Sequence, residues 1–304
     1  MLNVFRILGD TWAIETELAY LPFYKLNDRD IVLLDAGYAP TDREELTETL
    51  AACGFSVKGI LCSHAHMDHV GNVRRFCGIY GCRVGAHLIE AAIAASPDSF
   101  YRHYGIHASA EGGGEECFDA TDLIRPGQEE LDFCGARFRV LHLPGHSDGH
   151  LGFVTPDGVA YLGDALMGFS QLAASKMPFT TQLAQDLASK RAICQLSAKA
   201  YVVAHKAIVT DIRELAEANI SRLLEKVENI LNALRGTPTA GEWLVRFCEE
   251  NGWNFRSERS FYILEFGFNS AVAYLEQTGR VRSRRVNGNL RFARKAADRA
   301  GKPL

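Results

Sequence analysis

The sequence predicts an α+β fold in which sheets lie between outer helices, followed by a smaller helical C-terminal domain. Over residues 1–210, short strand-like apolar runs alternate with helix-like stretches, and several of those runs end at a histidine or an aspartate. From residue 211 onwards, long amphipathic helical patterns replace the strands, and a hairpin pattern closes the chain. We therefore expect two domains, 1–210 and 211–304.

Composition is that of an ordinary globular protein, with 304 residues, 47% hydrophobic, 23% charged and a net charge of −4. The N-terminus lacks a basic region followed by an apolar core, because Glu15 and Glu17 interrupt it, so we expect no secretory signal. No window approaches the ~20 apolar residues of a membrane helix. These features predict a cytoplasmic protein without a membrane partner.

The eight cysteines are scattered and form no CxxC pair. That spacing favours buried free thiols over disulfides or a zinc ribbon. Cys62 lies two residues before His64 and could approach a metal, but a small core residue is the favoured interpretation.

The first predicted elements are three antiparallel strands, at 3–8, 12–16 and 19–24. Residues 31–34 form a continuous apolar run typical of a strand buried on both faces, and this run ends at Asp35. A helix follows over 41–53, for which Thr41 is the predicted N-cap.

In the middle of the chain, the residue pattern predicts a helix that begins with residues 70–76, a strand at 82–86 and a helix at 88–95. Residues 96–125 show no regular pattern but are rich in aromatic residues and glycine. They are either a lid that contacts substrate or a surface loop that packs its own aromatic residues. For the lid, the candidate substrate-binding residues are Tyr101, His103, Tyr104 and His107.

A strand at 136–143, a hairpin over 152–162, a helix at 183–196 and a strand at 200–204 complete the first domain. Three helices are then predicted in the second domain, at 211–234, 240–250 and 259–277. The final hairpin pairs 281–286 with 289–292 around Asn287-Gly288, which signals a type I′ turn.

The stretch from residue 63 to residue 69 contains three histidines and one aspartate, His64, His66, His69 and Asp68. It is preceded by the apolar run Gly59-Ile60-Leu61, which predicts a short buried strand. Imidazole and carboxylate ligands at the end of a strand suit zinc or iron. We therefore predict a metal site here.

These residues, written His64-x-His66-x-Asp68-His69, resemble the signature of the metallo-β-lactamase superfamily. The resemblance continues in the segment 143–150, at Gly163-Asp164 and in the segment 202–205, and it covers roughly the first 210 residues. It implies an αββα sandwich and a metal-dependent hydrolase. It also implies ligands for a first metal (His64, His66 and His146), ligands for a second metal (Asp68, His69 and His205) and Asp164 as the bridge between the two.

The same resemblance implies a dinuclear centre, with two divalent metal ions that are most readily zinc, although iron or manganese accept the same donors. Asp68 is the implied catalytic residue. A hydroxide held between the metals would attack a carbonyl or phosphoryl centre. Asp35 is predicted to orient the metal loop by hydrogen bonds rather than to bind metal, and Ala204 stands where the family often has glycine.

Two functions follow as alternatives. The first is hydrolysis of an ester-like, thioester or lactone carbonyl in a small molecule. The second is cleavage of single-stranded RNA, because the helices and hairpin of the second domain resemble the winged-helix module of the lactamase-β-like group. Residues 280–304 carry nine Lys or Arg against one acid, Asp298. That basic segment is either a solvated tail, a homodimer contact or a phosphate-binding surface.

Overall fold

The computed structural model describes residues 1–103, 114–255 and 258–295. Two sheets and a separate hairpin contain the strands β1 (Asn3–Leu8), β2 (Thr11–Glu15), β3 (Tyr20–Lys25), β4 (Asp30–Leu34), β5 (Ser56–Leu61), β6 (Arg83–His87), β7 (Asp122–Ile124), β8 (Glu130–Phe133), β9 (Ala136–His142), β10 (Leu151–Val154), β11 (Val159–Tyr161), β12 (Ala200–Val203), β13 (Ala207–Val209), β14 (Val281–Val286) and β15 (Asn289–Arg294). The helices are α1 (Ala39–Ala52), α2 (Met67–Val70), α3 (Val73–Tyr80), α4 (Leu88–Ala94), α5 (Pro97–His103), α6 (Phe169–Ala174), α7 (Leu183–Ile193), α8 (Arg213–Ala233), α9 (Ala240–Glu250) and α10 (Glu258–Gln277).

The first sheet holds β1 to β7 in chain order, and its strands β4, β5, β6 and β7 run parallel. The second sheet has the order β13-β12-β11-β10-β9-β8, in which β11 and β12 are parallel. Parallel neighbours need a crossover, and helices α1 and α3 supply crossovers in the first sheet while α7 connects β11 to β12. All these parallel strands deliver their carboxyl ends, and hence the residues that follow them, to one edge of their sheet.

The main hydrophobic core lies between the two sheets. It joins buried residues of the first sheet, such as Phe23 and Ile60, to Phe138, Phe153 and Tyr161 of the second. Helix α1 adds Leu46 and Leu50 to this core from the outside, and a further cluster packs α7 and α8 on the second sheet. The chain therefore has the predicted α+β class with sheets inside and helices outside.

Three details differ from the sequence-based expectations. Helix α1 begins at Ala39 and its N-cap is Tyr38, so Thr41 is not the cap; Pro40 suits the first turn because its fixed φ is already helical. The segment 96–125 is not wholly irregular, because α5 and β7 lie within it. Strands β8 and β13 and helix α6 were not predicted, since each is only three to six residues long.

The C-terminal region contains the three predicted helices and the predicted hairpin. Its core surrounds the fully buried Trp243 and Phe268, and it also takes in Leu183 and Leu187 of α7. The hairpin turn has Asn287 and Gly288 at φ 48° and 80°, as a type I′ turn requires. The domain boundary at 210 and a winged-helix identity for this region stay predictions. No helix of the described residues is both long and apolar enough to cross a membrane.

Candidate metal centre

The candidate centre lies where parallel strands of both sheets end. In the first sheet, Asp35 follows β4 and His64 follows β5. In the second, Asp164 follows β11 and His205 follows β12. Because parallel strands present their carboxyl ends at the same edge, residues far apart in sequence meet there.

One group of side chains places its ligand atoms within 4.8 Å of one another, and its members are His64, His66, His146 and Asp164. Nε2 of His146 lies 2.9 Å from Nδ1 of His66 and 3.5 Å from Oδ2 of Asp164. Two ring nitrogens this close can share one cation at bond lengths of ~2.0–2.1 Å.

A second group shares Asp164 with the first and adds Asp68, His69 and His205, again within 4.8 Å. Nε2 of His205 lies 3.3 Å from Oδ2 of Asp164 and 3.5 Å from Oδ2 of Asp68. Nε2 of His69 lies 3.3 Å from the other oxygen of Asp164, Oδ1. Asp164 is thus the one carboxylate common to the two groups. Both groups coincide with the sets assigned from the sequence, and ligation by each residue stays a prediction.

The ring orientation of three imidazoles is fixed by oxygen acceptors on the side of the ring that faces away from the centre. Nδ1 of His69 donates to Asp35 (2.7 Å), and Nδ1 of His146 donates to the carbonyl oxygen of Phe179 (3.1 Å). In the same way, Nδ1 of His205 lies 3.2 Å from the carbonyl oxygen of Leu18. A ring whose Nδ1 carries the proton keeps the lone pair on Nε2, which is the atom that faces the centre.

Asp35 organises the loop after β5 through four short hydrogen bonds. Its carboxylate accepts from the backbone N–H of Ser63 (2.6 Å), the Ser63 hydroxyl (2.7 Å), His69 Nδ1 (2.7 Å) and the Tyr161 hydroxyl (2.6 Å). Because the Ser63 hydroxyl donates to Asp35, it accepts from Nδ1 of His64 at 2.9 Å. The side chain of Asp35 is completely buried. This arrangement agrees with the predicted orienting role of Asp35.

Glu90 connects the two loops that carry the first ligand group. One carboxylate oxygen accepts from the backbone N–H of Ala65, between His64 and His66, at 2.8 Å. The other accepts from the Ser147 hydroxyl and the Gly149 N–H, both at 2.8 Å, beside His146. Burial raises the pKa of Glu90, and these three donors oppose that rise.

Glycine is required at two positions in these loops. At Gly163 (φ +50°), a Cβ would lie 2.8 Å from Nε2 of His150 and 2.9 Å from the Ser63 side chain. At Gly145 (φ +132°), a Cβ would lie 2.2 Å from the backbone of Asp186 in α7. The residues before Asp164 and His146 therefore pack too closely for any side chain.

Burial and the interactions between carboxylates and imidazoles shift the pKa values in the cluster. Burial would raise the pKa of Asp164, but His205 and His69 outweigh it and lower that pKa well below its usual range. The carboxylate of Asp164 in turn raises the pKa of His205 to about 10. Burial lowers the pKa of His64, which keeps that imidazole neutral. His205 in the second group is therefore protonated in the absence of metal, and a metal cation that binds this group must displace that proton.

The residues present fit divalent metal ions. Nε2 of His64, which is buried, and Oδ1 of Asp164 have no hydrogen-bond partner among the described residues. Buried polar atoms without partners are costly, and a cation supplies what these atoms lack. Imidazoles with carboxylates form a donor set that suits zinc and that iron and manganese also accept.

Aromatic side chains form one wall beside the centre. The ring of Phe179 lies 5.0 Å from that of His66 and 5.5 Å from that of His146, between ring centroids. Phe266, on α10, packs on Phe179 at 5.7 Å. The C-terminal region thus contributes a side chain to the surroundings of the first ligand group.

Of the four predicted substrate-binding residues, the structure describes Tyr101 and His103, and these two have different surroundings. The ring of His103, at the end of α5, lies 5.8 Å from that of His66, which places it beside the centre. Tyr101 packs on Phe100, and its hydroxyl lies 3.4 Å from Glu116. Tyr104 and His107 lie outside the described residues. A contact between substrate and any of these residues stays a prediction.

Three further histidines have hydrogen-bond partners, and Cys62 and Ala204 are buried. Nε2 of His150 accepts from the backbone N–H of Asp164 at 3.0 Å, and Cys62 is fully buried in the core. His142 donates to the carbonyl oxygen of Gln128, and His87 accepts from the N–H of Ile89. Ala204 is fully buried without displacing His205 from the second group.

Glu90, Phe179 and Phe266 are not among the residues predicted from the sequence. None of the three belongs to a motif, and they lie in α4, in the segment between α6 and α7, and in α10. Glu90 gave no signal in the sequence, because a glutamate in the first turn of a helix is favoured by the helix dipole and is usually exposed.

Comparison with known proteins agrees with this geometry. Residues 23–205 match the family model described as the metallo-beta-lactamase superfamily. A solved metallo-beta-lactamase family protein from Thermus thermophilus has a TM-score of 0.68 and 24% identity, and the match covers 97% of this chain and 98% of that one. At this identity the likeness shows the fold.

Two curated relatives carry names of hydrolases. An atrochrysone carboxyl ACP thioesterase from Pseudocercospora fijiensis is 24% identical over 79% of this chain, and a hydroxyacylglutathione hydrolase from Haemophilus influenzae is 25% identical over 46%. The chain spans 63% of the length of each of these two proteins.

Proposed function

Because the chain belongs to the metallo-beta-lactamase superfamily, we propose that it is a metal-dependent hydrolase that cleaves acyl thioesters, or the related ester and lactone carbonyls, of small molecules. The observation that carries the proposal is the pair of ligand groups that share Asp164 beside an aromatic wall. Two zinc ions are the proposed cofactors. Bound there, divalent metal ions supply Lewis acidity, which lowers the pKa of water and polarises a carbonyl oxygen.

The side chains of this chain divide the remaining work. Asp68 is the more exposed of the two carboxylates, with 30% of its side chain exposed against 8% for Asp164. It can therefore accept a proton from the attacking water on the open side of the centre. Asp164 and the four oriented imidazoles hold their positions through the hydrogen bonds described above.

A thioester suits this arrangement better than an amide. Hydrolysis breaks the bond between carbonyl carbon and sulfur, and the leaving thiolate has an ordinary pKa of ~8.5. Such a group departs without a general acid, whereas an amine must first be protonated. The aromatic wall of Phe179 and Phe266 offers apolar surface to the acyl part of the substrate. The names of the two curated relatives, a thioesterase and a hydroxyacylglutathione hydrolase, support the same substrate class.

The test compares three substrates: octanoyl-pantetheine, a γ-lactone and a single-stranded RNA oligonucleotide. The protein would be loaded with zinc, and its metal content measured. We expect thioester hydrolysis, with kcat lowered by about 10²–10⁴-fold in Asp68→Asn, the range of a lost proton acceptor. The matched control is Asp119→Asn, an exposed aspartate outside both ligand groups. Cleavage of RNA alone, lost in Asp68→Asn, would replace the proposal with the nuclease alternative.

A further inference from the structure

Residues 177–183, called the connecting segment below, join α6 to the first residue of α7 and hold the ring of His146. The carbonyl oxygen of Phe179 accepts from Nδ1 of His146 at 3.1 Å. The hydroxyl of Thr180, which is completely buried, donates to the carbonyl oxygen of Gly145 at 2.7 Å. A displacement of the connecting segment would therefore displace the His146 ring with it.

The connecting segment is also held by α10. The hydroxyl of Ser270 accepts from the backbone N–H of Leu183 at 2.8 Å, and this hydrogen bond is buried. Leu183 is the first residue of α7, and the N-cap of that helix, Gln182, makes no side-chain cap bond. Because the first N–H groups of a helix have no acceptor within it, Ser270 supplies an acceptor from a distant helix.

Gly267 brings α10 close to the same segment. It lies three residues before Ser270, on the same face of the helix. A Cβ at Gly267 would lie 2.9 Å from Cγ of Met177 and 3.2 Å from the carbonyl oxygen of Pro178. Glycine disfavours a helix interior relative to alanine, and this close approach accounts for its presence here.

The other two oriented imidazoles have their acceptors elsewhere. Nδ1 of His69 donates to Asp35, which follows β4. Nδ1 of His205 lies 3.2 Å from the carbonyl oxygen of Leu18, between β2 and β3. Of these three rings, that of His146 is the one whose acceptor lies on a segment held by α10.

We propose that Ser270 and Gly267 are positioning residues for His146, so that helix α10 sets the affinity of the first ligand group for its metal ion. This inference rests on the proposed metal centre and makes one of its two metals dependent on the C-terminal region. The contacts of α10 keep the connecting segment in place, and the Phe179 carbonyl keeps Nε2 of His146 directed at the centre. The second ligand group should bind its metal independently of these contacts.

The experiment measures zinc binding to the full chain by competition with a chelator whose absorbance reports free zinc. The variants are Ser270→Ala, which removes the acceptor, and Gly267→Ala, which places a methyl group against the connecting segment. We expect the unmodified chain to bind two zinc ions, and we expect one of the two affinities to fall by about tenfold in each variant while the other stays unchanged.

The matched control is Gly241→Ala in α9, a helical glycine with open space around it. Both glycine substitutions raise helix propensity, so the contact of Gly267 with the connecting segment is what distinguishes them. Circular dichroism establishes which variants are folded. Because Ser270→Ala and Gly267→Ala change different contacts, one folded variant is enough for the test.

The variant His146→Ala identifies the zinc ion that is affected, because it removes a ligand of the first group. Adding Ser270→Ala to His146→Ala should weaken the remaining zinc no further, since Ser270 acts through the ring that is already absent. A further loss in the double variant would overturn the proposed route through His146.

Unchanged zinc affinities in a folded Ser270→Ala or Gly267→Ala variant would overturn the inference and leave the proposed metal centre intact. An equal loss of both affinities would also overturn it, because that result indicates a general loss of stability. A chain that binds no zinc would overturn the proposed metal centre, and the inference with it.

Discussion

The substitution Glu90→Gln tests how the two loops of the first ligand group are held together. The carboxylate of Glu90 accepts three hydrogen bonds of 2.8 Å, one from Ala65 and two from the segment Ser147 to Gly149. An amide has one oxygen. If that oxygen keeps Ser147 and Gly149, the amide nitrogen faces the N–H of Ala65, and two donors oppose each other.

The expected loss of stability follows from the hydrogen bonds that the substitution removes or weakens. One hydrogen bond to a charged group is lost, at ~1.5–3 kcal/mol, and two others become bonds to a neutral oxygen. Removing a buried charge recovers part of that loss. We expect the free energy of unfolding to fall by about 2 kcal/mol. Because the bonds join the loops that carry His66 and His146, we also expect weaker metal binding.

Urea denaturation of the metal-free and zinc-loaded protein measures the first effect, and competition with a chelator measures the second. The control is Glu48→Gln on α1, an exposed glutamate without a side-chain partner among the described residues. If Glu90→Gln and Glu48→Gln unfold at the same urea concentration, the carboxyl group of Glu90 is protonated in the native protein, and glutamine replaces it without loss of stability. That result would refute the carboxylate role.

Three further predictions concern the same region. Gly145→Ala should lower the free energy of unfolding by about 2–3 kcal/mol, because the new Cβ would lie 2.2 Å from the Asp186 backbone. Urea denaturation measures this loss beside that of Gly236→Ala, a position with a positive φ and open space around it. Equal losses in the two variants would contradict the steric explanation. Because the pKa of His205 is raised to about 10, zinc must displace its proton, so affinity should rise with pH between about 7 and 10. Calorimetry in two buffers of different ionisation enthalpy measures that proton release, and identical heats would argue against it. Phe266→Ala should raise the KM for octanoyl-pantetheine by about tenfold and leave the KM for acetyl-pantetheine nearly unchanged, because only the longer acyl chain reaches the ring. An equal rise in KM for both substrates would show that the acyl chain binds elsewhere.

The long elements and the ligand motifs could be predicted from the sequence because their signals are local. Helix α9 has the predicted bounds, and its capping box of Thr239 and Glu242 lies within four consecutive residues. The ligand sets followed from a resemblance to a family in which the motifs occur in this order. Short elements such as β13, at three residues, carry too few positions for a period to show.

The surroundings of the centre could not be predicted in the same way. Phe266 lies 200 residues from His66 in sequence, and only the packing of α10 brings its ring to Phe179. Glu90 receives its partners from two loops of different sheets. Contacts between distant segments depend on tertiary packing, which no local pattern reports.

The hydrogen bonds of Asp35 join segments of both sheets, which the chain must bring together during folding. Three of its four bonds go to the loop after β5, and the fourth comes from Tyr161 in the opposite sheet. Four predicted ligands precede residue 70, whereas His146, Asp164 and His205 arrive with the second sheet. Either half alone therefore offers an incomplete coordination sphere. Metal capture should be a late step of refolding, so zinc should slow unfolding without accelerating the collapse of the first sheet.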